Sequence, residues 1–207
     1  MLFEHSTIYS IILFLVALFV STAFHEMMHA YVALKLGDDL AHSHGRISLN
    51  PLRHIDPFLT ILLPLIMLLT TGTPIMAAKP VPINSSRLGE DGMAIVGVAG
   101  PLSNLALAIL FGGLWRLVEP SGFALDVVQA FFYINIALFT FNMLPIPPLD
   151  GSRLLYAFAP RPVQTVMEQI EGFGLFGLII IITLFASVIG PFLNTVQDAL
   201  VRLILGS

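Results

Sequence analysis

The chain has 207 residues, of which 57% are hydrophobic and 11% charged, with a mean hydropathy of +0.91 and a net charge of −4 at pH 7. Soluble domains carry about 25% charge, so this balance excludes a soluble globule, and the lack of any basic run argues against nucleic acid as a partner. With no cysteine, disulfides and thiolate metal sites are excluded as well.

The first apolar stretch, Ile8 to Phe24, reaches membrane length. It reads as a spanning helix rather than a secretory signal, because Glu4 and His5 stand where a basic region belongs and no small-residue cleavage site follows. The pattern predicts helix from about Ile8 to Leu36, with Lys35 in its last turn and a stop at Gly37. The polar segment GDDLAHSHGRISLNPLRHIDP alternates around Arg46–Leu49 and reads as loop with short strands. Phe58 to Thr70 is apolar but short, with Pro64 in its middle. KPVPIN then reads as extended, since Pro80 and Pro82 forbid helix and central strand. Further helices are expected over about Gly92–Val118, Phe123–Met143 and Phe173–Ile189, with an interfacial stretch at Val163–Glu171 and a short amphipathic piece after Pro191. NMLPIPPLDGSR must break the third helix. The expected architecture is an all-α polytopic membrane protein of about four to six spanning helices, with a re-entrant segment and short membrane-embedded β-strands, forming one domain over residues 1–207.

FHEMMH closes the first apolar run. His25 and His29, four apart, share one helix face. Two imidazoles at that spacing can hold one Zn2+, with the intervening Glu26 as general base. Ionisable groups inside a membrane are rare and usually functional. Catalytic zinc takes three protein ligands and keeps one open position. Asp38, Asp39, Asp56, Glu90, Asp91, Asp150, His42, His44 and His54 are the candidates for the third. Asp38 and Asp39 read as a solvated loop close behind the helix. His42, His44 and His54 read as polar packing, or as a second cluster.

FHEMMHAYVALKLGD, GRISLNPLRHIDP, AKPVPIN, AGPLSN and FNMLPIPPLDGSR occur in that order. Together they resemble the site-2 protease family of intramembrane zinc metalloproteases, in its compact prokaryotic form without an added soluble domain. The resemblance spans roughly residues 20 to 160. It implies that His25, His29 and Asp150 bind one zinc per chain and that Glu26 activates the water. It also implies that Asn142 and Asn104 lie near the scissile peptide, with Asn142 placed to stabilise an oxyanion. Gly97, Gly100 and Ser103 read as close-packing positions whatever the function.

Topology gives an independent expectation. The 17 residues from Ile8 to His25 span about 26 Å of helix, so the metal lies just inside the far face of the bilayer. Asp150 reaches that face only if the first and third helices end on the same side, which makes Phe58–Thr70 re-entrant. With the N-terminus outside, Lys35, Arg46, Arg53, Lys79, Arg87, Arg153 and Arg161 fall inside, against Arg116 and Arg202 outside. That asymmetry obeys the positive-inside rule and opens the site toward the cytoplasm of a multi-pass cell-membrane protein. The expected partners are the lipid bilayer and a transmembrane protein substrate. Lys79, Pro80, Val81 and Pro82 are expected to bind it as an edge strand. The competing readings are a metal-transit site in a transporter, a catalytically silent membrane binding module, against which the intact Glu26 argues, and a zinc protease whose third ligand is Glu90 or Glu168.

Overall fold

The structure is a computed structural model and describes residues 7–54 and 79–206. Its regular elements are α1 (Thr7–Lys35), α2 (Leu40–Ser43), a 3-10 turn (Pro51–Arg53), α3 (Ser85–Val118), α4 (Phe123–Asn142), α5 (Asp150–Phe158), α6 (Arg161–Gly172), α7 (Gly174–Leu184) and α8 (Ala186–Leu205). Four helices, α1, α3, α4 and α8, are long and apolar enough to cross a membrane, and the bent pair α6–α7 would make a fifth. The protein is therefore a helical integral membrane protein.

Helix ends follow local chemistry. Past Lys35, α1 stops at Gly37, whose φ of +99° favours a residue without Cβ. α3 starts under a cap in which the Asn84 side chain accepts from the Ser86 N–H, seven residues before the expected start at Gly92. Gly89 (φ 64°, ψ −175°) interrupts its first turns. The third helix ends within a residue of expectation, where the proline run begins.

α3 lies at the centre, against α1, α4 and α5. Its buried face is built from small residues, among them Gly92, Gly97, Gly100, Ser103, Asn104 and Ala108. In lipid, small residues let helix backbones approach closely. An added Cβ at Gly97 would come within 2.7 Å of the Arg153 Cβ, so this glycine sets the spacing between α3 and α5. At the other end, Phe132, Ile136 and Ala108 pack with Trp115, Leu200 and Ile204, which ties α8 to α3 and α4.

Several expectations need correction. No β-strand occurs among the described residues. Arg46–Leu49 is irregular, and Lys79–Pro82 is extended but joins no ladder. The prolines remove donors on one side, and the segment is instead held by the Lys79 N–H on the His54 carbonyl and by Arg46 on Pro80 O. The expected helix at Phe173–Ile189 divides into α7 and α8 at Phe185, and α7 is bent 105° from α6. Its 11 residues reach only about 16 Å, too short to span. The C-terminal piece is not short: α8 has 20 residues and carries Pro191 in its second turn, near the end where a missing N–H costs least. Phe58–Thr70, Pro64 and Asp56 lie outside the described residues.

Asp38 was expected in a solvated loop, yet it is fully buried. Its carboxylate accepts from the Leu40 N–H (3.1 Å) and the Asn84 N–H (2.7 Å), and so joins the end of α1 to the start of α3. Its neighbour Asp39 is exposed and hydrogen-bonded to Arg87, which holds the Asp39 carboxyl below its ordinary range.

Candidate metal centre

His25 and His29 sit one turn apart on α1, both 95% buried. Asp150 opens α5, where the positive end of the helix dipole favours a carboxylate. The proline-rich turn brings it back to α1. Gly151 makes that return possible, because a Cβ there would collide with the Met143 carbonyl and lie 2.8 Å from Leu144 O. The expectation that the first and third helices end on the same side agrees with this contact across 125 residues.

Three ligand-type atoms converge. His25 Nε2 lies 3.0 Å from His29 Nε2 and 3.0 Å from Asp150 Oδ2, and His29 Nε2 lies 3.3 Å from the same oxygen. The opposite ring nitrogens are engaged: His25 Nδ1–H donates to Asn104 Oδ1 (2.6 Å) and His29 Nδ1–H to the Val96 carbonyl (2.7 Å). In neutral imidazoles both Nε2 atoms then carry lone pairs aimed at one point beside a carboxylate oxygen. Two lone pairs and an anion facing one another repel unless a cation lies between them. Zinc ligands at about 2.0 to 2.1 Å in tetrahedral array stand about 3.3 Å apart, close to these separations. The donor set fits zinc. Among the described residues it is the only group of three or more such side chains that could hold a metal.

Gly100 of α3 lies against the two rings: a Cβ there would be 2.6 Å from His25 Nε2 and closer still to His29 Nε2. The sequence marked Gly100 as a packing position but not what it packs against. The other candidate third ligands are elsewhere. Glu90 faces Gln164 and Arg161, Glu168 accepts from Tyr156, and Asp39 pairs with Arg87. His44 Nδ1–H is spent on Leu40 O and His54 Nε2–H on Ser48 O. His42, His44 and His54 form no second cluster among the described residues.

The site opens on a cavity of about 670 Å3 between α1, α3, α4 and α7. Half-buried Glu26 lines it, as do Asn142, Pro80 and Val81. Asn142 Nδ2 donates one hydrogen to Leu138 O. Lys79 and Pro82 flank the part of the segment that reaches the wall. Asn104 is fully buried and does not line the cavity; it holds His25 from behind. Glu171 lines the cavity too, but Arg153 engages both of its oxygens. Sequence reasoning missed two residues, Ser21 and Asn135, which are buried beside Asn104 and hydrogen-bonded to it or to each other. A polar side chain within an otherwise apolar helix was the available signal.

The family model for peptidase family M50 matches residues 118–185, the stretch that carries Asp150. The Bacillus subtilis protein named "Putative zinc metalloprotease YwhC" is 37% identical over 206 aligned residues, covering 91% of this chain and 89% of that protein. The chain belongs to peptidase family M50, the site-2 proteases. Within the family, "Putative zinc metalloprotease MJ0611" of Methanocaldococcus jannaschii is 34% identical over 150 residues, 71% of this chain and 72% of its own. "Putative zinc metalloprotease Rip2" of Mycolicibacterium smegmatis is 31% identical over 182 residues, 84% of this chain but 65% of its own length. No solved structure gives a significant match. This M50 peptidase is a zinc-dependent metalloprotease.

Proposed function

We propose that this M50 peptidase is an intramembrane endopeptidase, one membrane-embedded domain that holds one zinc on His25, His29 and Asp150 and cuts transmembrane protein substrates in or near their spanning segments. The observation that carries the reading is the convergence of those three side chains in the wall of a cavity bounded by membrane-length helices. Zinc at such a site acidifies a water and polarises a peptide carbonyl.

The chain's own residues supply the rest. Glu26, on the cavity wall and outside the ligand triad, takes the proton from the attacking water and passes it to the leaving amine. Its competitor on the same wall, Glu171, is neutralised by Arg153. Asn142 has a second amide hydrogen to offer the developing oxyanion. Asn104 acts through His25 rather than on the substrate. A spanning helix must unwind locally before its peptide bonds are reachable, and its freed N–H and C=O groups then need partners that lipid lacks. Lys79, Pro80, Val81 and Pro82 suit that role: the segment is extended, borders the cavity, and the Val81 N–H makes no hydrogen bond among the described residues. Purified enzyme in detergent should cleave a single-span substrate, stop with a zinc chelator and recover on zinc addition. Failure of zinc-replete enzyme to cleave any of a panel of such substrates would count against the reading.

The charge asymmetry supports a site that opens at the cytoplasmic face. Ser43 and Ser121 are exposed at opposite ends of the helices, and the chain has no cysteine. In intact cells a membrane-impermeant maleimide should label Ser121→Cys and leave Ser43→Cys unlabelled until the cells are opened. The reverse pattern would put the site outside.

A further inference from the structure

Behind His25 runs a chain of side-chain amides whose direction is fixed at its far end. Asn135, on α4, is fully buried. Its Nδ2 donates to the Phe131 carbonyl (2.8 Å) and to Ser21 Oγ (2.9 Å). A backbone carbonyl can only accept, so this end of the amide must be the NH2, and Asn135 Oδ1 must face the other way. It faces Asn104 Nδ2 at 2.8 Å. Asn104 Nδ2 also points at the Ser21 carbonyl (3.5 Å), and Asn104 Oδ1 therefore faces His25 Nδ1 (2.6 Å). An oxygen there demands Nδ1–H, and a neutral imidazole protonated on Nδ1 keeps its lone pair on Nε2, the atom that meets His29 and Asp150.

We infer that Asn135, braced by Ser21, is a positioning residue for the metal: it fixes the orientation of the Asn104 amide and so holds His25 in the tautomer that binds zinc. This rests on the zinc reading of His25, His29 and Asp150, and it adds two residues, Ser21 on α1 and Asn135 on α4, neither of which is itself a ligand. Without Asn135, the Asn104 amide loses its 2.8 Å partner and keeps only the long 3.5 Å contact to the Ser21 carbonyl to orient it. Turned over, it would offer N–H to His25 Nδ1, and the ring proton would move to Nε2, where it competes with the metal. Three helices share the device: Ser21 and His25 on α1, Asn104 on α3, Asn135 on α4. Partners of this kind typically change metal affinity 10- to 100-fold when removed.

The test is zinc affinity, measured by competition with a chromophoric chelator on purified full-length protein, with no substrate present. Asn135→Ala is expected to weaken zinc binding about tenfold or more. Ser21→Ala should do so less, because the Phe131 carbonyl still orients Asn135. Asn135→Leu fills the volume that alanine vacates and should show the same loss in a helix with no cavity. Thr140→Val is the control, since Thr140 is a buried polar group of the same helix, bonded to its own backbone and to Gln197; it should bind zinc as wild type does. The decisive arm is the double variant Asn104→Ala/Asn135→Ala. If Asn135 acts through Asn104, the pair binds zinc as Asn104→Ala does alone, within about twofold. Additive losses, or wild-type affinity in both Asn135 variants, would overturn the inference and leave the three-ligand site standing. A wild type that binds no zinc would overturn both.

Discussion

Glu26→Gln is expected to lower peptide cleavage by a factor of about 10² to 10⁴ while zinc stays bound. Glutamine keeps the size and helix propensity of glutamate at a half-buried position on α1, so neither the helix nor the cavity wall should change. Only the ability to accept a proton is lost. Converted to a barrier, the effect is about 3 to 5 kcal/mol. Zinc is retained because the converging atoms belong to His25, His29 and Asp150, and Glu26 is not among them. Cleavage rate and zinc content measured on one preparation check both halves. A variant that still cleaves at the wild-type rate would remove Glu26 as the base. One that loses zinc would make Glu26 part of the metal site.

Gly100→Ala should cost zinc binding about 100-fold without unfolding the protein. Alanine is the best helix former, and Gly100 lies within α3, so the substitution favours the helix itself. The added methyl, however, would occupy space held by the Nε2 edges of both imidazoles. The rings cannot retreat without breaking Nδ1–H bonds to Asn104 and Val96, and α3 cannot retreat without losing contact with α1. Gly113→Ala is the matched control: on the same helix, a Cβ there meets nothing within 4 Å, and zinc affinity should be unchanged. Equal zinc binding by Gly100→Ala would mean that the imidazoles do not sit where their hydrogen bonds place them.

Parts of this site were legible because the chemistry is local. His25, Glu26 and His29 lie within one turn and a half of helix, so spacing alone puts the imidazoles together. Asp150 was not local. The residues offered it as one of nine candidates, and only the order of motifs along the chain singled it out; the turn that carries it back to α1 is a property of Pro145, Pro147, Pro148 and Gly151 acting together. Asn135 and Ser21 stood out only as polar side chains in apolar helices, and their partners stayed hidden, because what an amide in such a helix touches depends on how that helix is rotated. The break at Phe185 was hidden for a related reason: Phe173–Ile189 is uncharged and mostly apolar, and hydropathy reports composition, not direction. Pro191 misled in the opposite sense, since proline in an early turn does not end a helix. Asp38 reads as polar and loop-bound, but two backbone N–H groups that must be satisfied in a buried junction give it a different role.

The most direct measurement is zinc per chain in metal-replete, detergent-purified protein, wild type beside Asp150→Ala. The account predicts about one zinc in the wild type and a clear loss in the variant, because His25 and His29 alone leave the metal two ligands. Full zinc in Asp150→Ala, or none in the wild type, would contradict it.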